Sequence, residues 1–264
     1  MPVASPPGTV RVALAQIFCL DGDREGNFVR LENALQVAQG RKAQIACFPE
    51  TCLLGWVNPE AHQRAEPIPG RDTERLAALA RKYQIALCVG LAEKDGPRLY
   101  DAAVFIDRHG TLLLKHRKIN VLTHLMNPPY TPGREVQAVE TEFGRIGLLI
   151  CADTFRPDLL AQMAALQPDL VLVPYGWAAE KSHWPQHGEK LKQTVVKAAR
   201  TIGAPVVGTD LVGLITHGPW TGYTYGGQSL VANAQGNVLA VAKDRDADVL
   251  VVKVPLGRTG EVTP

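Results

Sequence analysis

The stretch GRIGLLICADTFRP, residues 144–157, ends a short apolar run at a cysteine. The run from Ile146 to Ile150 has the length and the apolar side chains of a buried strand, and polar residues begin at Cys151 and Asp153. The Arg-Pro pair that closes the stretch indicates a turn. Ligands of open α/β sheets bind beyond the carboxyl ends of the strands, so this cysteine is a candidate for chemistry.

The pattern around this stretch alternates strands with helices in two similar halves. The first half predicts strands at 9–17, 43–48 and 84–91, helices at 27–40 and 72–83, and a hairpin at 99–118. The second half predicts strands at 145–150, 169–174 and 204–210, helices at 156–167 and 186–203, a hairpin at 228–243 and a last strand at 248–254.

Two arrangements of these halves are open. Each half can build its own helix-covered sheet, with the two sheets packed face to face, or all the strands can join one doubly wound sheet. The pattern alone does not decide between them. Because no Pro-, Gly- or Ser-rich linker separates the halves, we expect a single domain over residues 1–264, with a flexible N-terminus at 1–8 and a C-terminal tail at 255–264.

The composition of the chain excludes several classes of function. Of its 264 residues, 46% are hydrophobic and 20% are charged, as in ordinary globular proteins, and a net charge of +2 provides no basic surface for nucleic acid. No apolar run approaches the roughly 18 residues of a membrane span. The N-terminal residues lack the pattern of a signal peptide, and five cysteines without a CxxC pair indicate reduced thiols. We therefore expect a cytoplasmic protein that binds neither nucleic acid nor membrane.

Three reactive side chains, Glu50, Lys118 and Cys151, follow predicted strands. Each alone has an ordinary structural explanation, since buried cysteines and charged loop residues are common. Together they supply what an attack on a carbonyl or nitrile carbon requires. A thiol attacks as the thiolate, a carboxylate can take and return its proton, and an ammonium group can stabilise the negative charges. The backbone N–H of Ala152 is a candidate for the oxyanion hole.

The sequence also resembles a known family. FPE at 48–50, HRKIN at 116–120 and RIGLLICADTFRP at 145–157 are similar to the three signature blocks of the nitrilase superfamily of carbon–nitrogen hydrolases, in the family's order. Flanking similarities extend the resemblance from about residue 10 to residue 254. Three blocks in order are far more specific than any one of them.

The resemblance implies a fold, a site and an assembly. It implies a four-layer α-β-β-α sandwich, with Cys151 as the nucleophile, Glu50 as the general base and Lys118 as the stabiliser of the transition state. The implied reaction forms a thioester acyl-enzyme, releases ammonia or an amine, and ends with hydrolysis by water. The resemblance implies no metal and no organic cofactor, and it implies a homodimer or a larger homo-oligomer.

The sequence departs from the family's pattern at two places. Ala152 stands where many amidase-like members have a bulky aromatic residue, and Asp153 after it favours amides over nitriles. The family usually places a second glutamate between the catalytic lysine and the Pro-Gly before the cysteine strand, but INVLTHLMNPPYTPG at 119–133 contains no acidic residue. Asn127 and His124 lie near the expected place, so we expect one of them to contact the substrate.

Two loops of the second half, 174–187 and 216–227, contain three of the four tryptophans. If these loops border the strand ends, they form an aromatic pocket over the thiol, and Tyr175 and Trp177 are the candidates to line it. The alternative is a packed lid or a contact between subunits.

These observations lead to one principal hypothesis and two alternatives. The principal hypothesis is a hydrolase that cleaves a non-peptide C–N bond of a small linear amide or N-carbamoyl compound. The first alternative is a nitrilase, which converts a nitrile to an acid and ammonia. The second is a ligand-binding or scaffold protein that has lost catalysis, which the missing second glutamate would explain.

Overall fold

The computed structural model describes residues 8–257, so residues 1–7 of the predicted N-terminal extension and residues 258–264 of the predicted tail lie outside it. The described chain forms two six-stranded sheets and one small sheet. The first sheet has the order β15-β1-β2-β3-β4-β5. Its strands are β1 (Thr9–Gln16), β2 (Ile45–Cys47), β3 (Ala86–Asp95), β4 (Arg98–Ile106), β5 (Leu112–Arg117) and β15 (Asp248–Pro255).

The second sheet repeats the topology of the first. Its order is β14-β13-β10-β8-β7-β6, and its strands are β6 (Gln137–Thr141), β7 (Gly144–Leu148), β8 (Leu170–Pro174), β10 (Val206–Thr209), β13 (Leu230–Ala232) and β14 (Val238–Val241). In each sheet three parallel strands continue into an antiparallel hairpin. The small sheet joins β9 (Ala178–Ala179), β11 (Val212–Leu214) and β12 (Thr224–Gly226).

The last strand links the two halves. β15 follows the hairpin of the second half along the chain, but it pairs antiparallel with β1 of the first sheet over the whole strand, from Thr9 with Pro255 to Gln16 with Asp248. β15 lies beside β1 in the first sheet as β6 lies beside β7 in the second. The last described strand therefore pairs with the first.

Five α-helices accompany the sheets in the described part of the chain. They are α1 (Arg24–Gly40), α2 (Ala61–Arg64), α3 (Arg71–Tyr83), α4 (Pro157–Ala165) and α5 (Gln186–Ile202), with 3-10 turns at Cys151–Phe155 and Lys181–His183. The apolar faces of α1 and α3 cover the outer face of the first sheet, and those of α4 and α5 cover the second. Helix α1 begins at an Asp23 cap, whose carboxylate accepts the N–H of Gly26 at 3.0 Å.

The two sheets face each other across a buried apolar interior. Val12 and Cys88 of the first sheet belong to the same buried cluster as Leu148 and Val207 of the second. Burial of two sheet faces against each other, with helices outside, explains why the strands are apolar on both faces. The predicted four-layer α-β-β-α sandwich is confirmed, and the single continuous sheet is not formed.

The topology brings several strand ends to one edge. β2 and β5 run in the same direction in the first sheet, because both are connected through β3 and β4, and β4 runs opposite to them. The amino end of β4 therefore lies beside the carboxyl end of β5. Between residues 8 and 257 no helix is long and apolar enough to cross a membrane.

Candidate active site

Cys151 lies at a sharp change from strand to helix. Its φ angle is +38°, in the left-handed region that residues with a side chain rarely adopt, and the 3-10 turn begins at this residue. The hydroxyl of Thr154 donates to the Cys151 carbonyl at 2.6 Å and lies 3.1 Å from the Tyr175 hydroxyl. Backbone strain of this kind persists only where the surroundings fix it, and it occurs often at functional sites.

Glu50 reaches the same edge from the first sheet. It follows β2 through Phe48 and Pro49, and its own N–H donates to the carbonyl of Tyr175 at 3.2 Å. A Cβ atom at Gly90 would lie 2.4 Å from the Pro49 carbonyl oxygen, so the strand beside this loop must carry a glycine at that point. The Glu50 carboxylate is fully buried.

Lys118 joins the carboxylate from the end of β5. Its ammonium group donates to Glu50 Oε1 and lies 3.2 Å from Asp101 Oδ2, and all three side chains are buried. Burial alone lowers the pKa of a lysine, but Glu50 and Asp101 outweigh it and hold the pKa of Lys118 well above its usual range. The lysine is therefore an ammonium ion at neutral pH.

The thiol of Cys151 lies in the field of these groups. Burial and the Glu50 carboxylate raise the pKa of the Cys151 thiol well above its usual value, while Lys118 and the backbone N–H of Gly176 act to lower it. Glu50 Oε2 lies so close to Gly176 that a Cβ atom there would meet it at 2.9 Å. The resting thiol is therefore neutral, and the carboxylate beside it can take its proton when a substrate is bound.

Asp153 ties the cysteine turn to the lysine segment. Its carboxylate accepts the N–H groups of Ile119 at 2.9 Å, Asn120 at 2.8 Å and Ile150 at 3.1 Å, and lies 2.8 Å from His116 Nε2. Burial acts to raise the pKa of Asp153, but its interaction with His116 and the hydrogen bond from the Asn120 N–H lower it overall. Asp153 is fully buried, so it fixes the geometry of the site through the backbone.

A narrow cavity lies beside Lys118 and Asp101. Apart from these two polar groups and the hydroxyl of a tyrosine, its walls are apolar. They are formed by Trp56, Val57, Val121, Leu122, Leu125, Met126, Pro129 and Tyr130. Trp220 packs edge-on against Trp56, with 5.5 Å between the ring centroids, and so supports one wall from behind.

The arrangement can be compared with known proteins. The family model for carbon-nitrogen hydrolases matches residues 11–263. The chain belongs to the carbon–nitrogen hydrolase family. This match confirms the resemblance to the nitrilase superfamily that the three sequence blocks indicate.

Curated members of the family match this chain over different lengths. A bifunctional nitrilase/nitrile hydratase from Nicotiana tabacum is 29% identical over 66% of this chain and 57% of its own length. The chain thus spans less than two thirds of the length of the plant nitrilase/nitrile hydratases that it matches. An omega-amidase from Bos taurus is 28% identical over 96% of this chain and 91% of its own length.

The solved structures include amidases of the same fold. A cysteine-to-alanine variant of the Nesterenkonia AN1 amidase from the nitrilase superfamily is 25% identical to this family member, with a TM-score of 0.80. The similarity covers 96% of this chain and 94% of that one. The amidase therefore shares the sandwich fold over nearly its whole length.

The two aromatic residues predicted to line the pocket are not among the walls of the cavity beside Lys118. The Tyr175 side chain is fully buried under the cysteine turn, where it contacts Thr154 and fits against Gly208. The Trp177 ring packs against Phe155, with 5.6 Å between centroids, and its indole N–H donates to the His187 carbonyl at 3.1 Å. The backbone of this segment does reach the site, through the Tyr175 carbonyl that accepts from Glu50 and the N–H of Gly176 beside the thiol, and the aromatic pocket over the thiol stays a prediction.

The segment that lacks the second glutamate also differs from expectation. His124 and Asn127 are both exposed, and neither lines the cavity. The loop buries Leu125, Met126 and Tyr130 instead, which line it. Apolar side chains leave water in preference to polar ones, so the loop turns its two polar residues outward.

Asp101 and Trp56 belong to this site but were absent from the sequence prediction. Asp101 is near the start of β4, and the prediction considered only residues after strands. Trp56 is the one tryptophan outside the two aromatic loops. The sequence did contain one signal for Asp101, since it lies in the predicted hairpin that ends at Lys118. Ala152 lies where expected, buried directly after the thiol, and its carbonyl accepts from Asn120 at 2.6 Å.

Proposed function

We propose that this protein hydrolyses the C–N bond of a small linear amide or N-carbamoyl compound by way of a thioester on Cys151. The observation that carries the proposal is the meeting of Glu50, Lys118 and Cys151 at one edge of the two facing sheets. An acid–base carboxylate, a buried ammonium ion and a thiol are the groups that this chemistry needs. Membership of the carbon–nitrogen hydrolase family supports the reaction class.

In the first half of the reaction Cys151 becomes acylated. Glu50 takes the thiol proton, so that the S–H bond breaks as an O–H bond forms, and the sulfur attacks the amide carbon. The carbonyl π pair moves to oxygen, where the Lys118 ammonium and the N–H of Ala152 stabilise the negative charge. When the tetrahedral intermediate collapses, the C–N bond breaks and Glu50 gives its proton to the leaving nitrogen. Ammonia or an amine departs.

In the second half water releases the acid. Glu50 takes a proton from a water molecule as the water oxygen attacks the thioester carbon. The second tetrahedral intermediate breaks its C–S bond, and the proton returns from Glu50 to the sulfur of Cys151. The free acid leaves, and all three side chains regain their starting charges.

The walls of the cavity favour a small apolar acyl group, and because its volume is only about 10 Å³ these walls must move apart to admit a substrate. Its walls are mostly apolar, and its polar groups are Lys118, Asp101 and the Tyr130 hydroxyl. An uncharged amide suits this arrangement, because an ionised acyl group would have no solvent and no second cation among the wall residues.

A nitrile is the second candidate substrate class. The Nicotiana tabacum relative is a bifunctional nitrilase/nitrile hydratase. A thiolate attacks a nitrile carbon as it attacks a carbonyl carbon, so the same three side chains would serve. The omega-amidase match, which covers nearly all of both chains, favours amides.

The test is the release of ammonia from matched substrates. Acetamide, propionamide, butyramide and an N-carbamoyl amino acid are compared with acetonitrile, propionitrile and butyronitrile at equal concentrations. We expect turnover of at least one amide or carbamoyl compound, and a mass increase on Cys151 when the reaction is quenched during turnover. Turnover of nitriles alone would transfer the assignment to a nitrilase. Binding of amides with neither acylation nor turnover would indicate a protein that has lost catalysis.

Three further predictions accompany this function. We expect a homodimer or larger homo-oligomer, a cytoplasmic location and a single domain over the whole chain. Size-exclusion chromatography with light scattering, cell fractionation and limited proteolysis respectively test them.

A further inference from the structure

Within residues 8–257, Asp101 is the one carboxylate in contact with the Lys118–Glu50 pair that the proposed reaction leaves without a role. It is 1% exposed, and its Oδ2 lies 3.2 Å from Lys118 Nζ. Its backbone is also fixed to the lysine, since the Lys118 N–H donates to the Asp101 carbonyl at 2.8 Å. Asp101 therefore helps to fix both the ammonium group and the backbone of Lys118.

Two carboxylate oxygens around Lys118 accept no hydrogen bond from the described residues. Asp101 Oδ1 and Glu50 Oε2 are buried, and neither has a hydrogen-bond partner within residues 8–257. Leaving a buried carboxylate oxygen without a partner is costly, so such atoms are rare outside functional sites. Asp101 also lines the cavity, together with Lys118 and Tyr130.

A count of charges shows why a proton belongs in this cluster. Lys118 contributes one positive charge, and Glu50 and Asp101 would together contribute two negative charges if both were ionised. A net negative charge buried among apolar walls is unfavourable, whereas one bound proton makes the cluster neutral. Burial, followed by the charge of Glu50, raises the pKa of Asp101 well above its usual value.

The other titratable groups that face Asp101 stay uncharged. Burial raises the pKa of the Tyr130 hydroxyl, and Asp101 and Glu50 raise it further. Burial and Glu50 likewise raise the pKa of the Cys151 thiol, to which Asp101 adds a smaller contribution. The exchangeable proton of the resting site therefore belongs to the two carboxylates.

We propose that Asp101 is the second carboxylate of this active site, a positioning residue that holds Lys118 in place and shares one proton with Glu50. It supplies from β4 the acidic group that the loop at 119–133 lacks. The proposal rests on the proposed function for its catalytic consequence. The charge state of Cys151, which can be measured without any substrate, tests it separately.

The shared proton keeps the cluster neutral during the first step. With Asp101 protonated, transfer of the Cys151 proton to Glu50 converts an ionised carboxylate and a neutral thiol into a neutral carboxyl and a thiolate. The net charge of the site is zero before and after. If Asp101 is ionised, the same transfer leaves an extra negative charge beside the thiolate, which opposes its formation. Activity is therefore expected to fall as rising pH removes the proton from Asp101.

The kinetic test compares Asp101→Asn and Asp101→Ala with a matched control. Asparagine keeps an oxygen for Lys118 but cannot lose a proton. We expect Asp101→Asn to keep KM within about threefold and to lose the alkaline decline of kcat, whereas Asp101→Ala lowers kcat by about 100-fold at unchanged KM. Glu93→Gln is the control, because Glu93 is another buried carboxylate of the same sheet, which pairs from β3 with Lys115 and Arg117 of β5. It should keep the wild-type pH profile.

The second test measures the thiol directly. The rate of Cys151 alkylation by iodoacetamide is followed against pH, with the site identified by peptide mass spectrometry and the other four cysteines as internal references. Because an ionised Asp101 raises the pKa of the thiol, we expect the midpoint for Asp101→Asn at lower pH than for the wild type or Glu93→Gln.

The outcomes separate the two proposals. A wild-type alkylation midpoint and a wild-type pH profile of kcat in Asp101→Asn would overturn the role of Asp101. A shifted alkylation midpoint in a protein that hydrolyses no amide would support Asp101 and overturn the proposed function. Melting temperatures are recorded for all variants, and the isosteric Asp101→Asn keeps the test valid if Asp101→Ala fails to fold.

Discussion

Two regions of the inter-sheet interior contain cysteines of nearly equal burial and very different surroundings. Cys47 at the end of β2 is 2% exposed and pairs across the ladder with Cys88, whereas Cys151 after β7 is 5% exposed. All three belong to one buried apolar cluster. Burial raises the pKa of the Cys47 thiol, with Cys88 as the further cause, and burial also raises the pKa of Cys151.

The difference lies in the neighbours. Within the described residues, neither a cation nor a backbone N–H lowers the pKa of the Cys47 thiol, so nothing favours its thiolate. Cys151 has an ammonium ion and a backbone N–H that lower its pKa, beside a carboxylate that can take its proton. Reactivity is therefore decided by the charged groups that converge on a thiol, and exposure does not distinguish these cysteines.

Replacement of Cys151 and of Cys47 by alanine, one at a time, should produce the largest difference in activity. We expect Cys151→Ala to lower kcat by at least about 10⁴-fold, because no other nucleophile replaces it. Cys47→Ala should keep kcat within about threefold and lose roughly 1 kcal/mol of stability, since it leaves a small void between the sheets. Ammonia release and thermal unfolding measure the two effects. Hydrolysis by Cys151→Ala above about 1% of wild type would contradict the nucleophile assignment.

Removal of the Lys118 ammonium ion should leave Cys151, like Cys47, without a cation that favours its thiolate. We expect Lys118→Met to lower kcat/KM by about 10³-fold and to destabilise the fold by about 3–5 kcal/mol, because two buried carboxylates lose their partner. These carboxylates then bind protons more tightly in the folded state than in the unfolded one. The stability of the variant should therefore fall as pH rises from the ordinary carboxyl range near 4.

The measurement for Lys118→Met is urea unfolding at pH 5, 7 and 8. Lys115→Met is the matched control, since Lys115 lies on β5, the strand that leads to Lys118, and its partner Glu93 keeps Arg117. The control should retain activity and the wild-type dependence on pH. Equal pH dependence in both variants would show that Lys118 does not neutralise the carboxylates.

Asp153→Asn tests the support of the cysteine turn and should have an intermediate effect. The lowered pKa of Asp153 means that its ionised form stabilises the fold above the unfolded carboxyl pKa of about 3.9, and that this stabilisation is lost as pH falls through the folded pKa. We expect the variant to be about 1–3 kcal/mol less stable at pH 7 and nearly equal to wild type in strong acid. Chemical unfolding at pH 7 and pH 3 measures this difference. A constant difference at both pH values would contradict the role of the charge.

The smallest effects are expected in the exposed part of the 119–133 loop. His124→Ala and Asn127→Ala should change kcat/KM by no more than about twofold, because substitutions of exposed residues usually change free energies by less than about 0.5 kcal/mol. Rates with acetamide and butyramide measure this change. A tenfold loss in either exposed variant would support that residue as a substrate contact.

Met126→Ala enlarges the cavity and should shift the preference toward longer acyl chains. The ratio of the rates with butyramide and acetamide measures this shift.

Much of the fold could be predicted from the sequence because its signals are local. The apolar strand before Cys151 and the helices of both halves depend on periodicity, and the structure contains them with boundaries shifted by a few residues. The resemblance in the three blocks then selected two facing sheets over one continuous sheet. The path of β15 back to the first sheet was not predicted, since a strand's partner is a long-range property.

The predicted substrate contacts depend on which way a side chain faces, and they stay predictions. Tyr175 and Trp177 do follow a strand, as predicted, but neither lines the cavity beside Lys118. In the 119–133 loop the prediction chose polar residues for their chemistry, whereas the loop buries Met126 and Tyr130. An irregular loop has no period from which to infer which side chains point inward.

Asp101 is the clearest case in which the local sequence was not enough to predict a contact of the site. The hairpin of β4 and β5 was predicted, but its register shifts by one residue between Phe105 and Ile106. That shift places Asp101 opposite Lys118; without it, Tyr100 would lie there. Because side chains alternate across a strand, one extra residue exchanges the two faces. The sequence by itself determined the strands, the nucleophile candidate and the family, since these are set by local pattern and motif. Only the tertiary structure decided which carboxylates meet the lysine, because that depends on register and on the packing of distant strand ends.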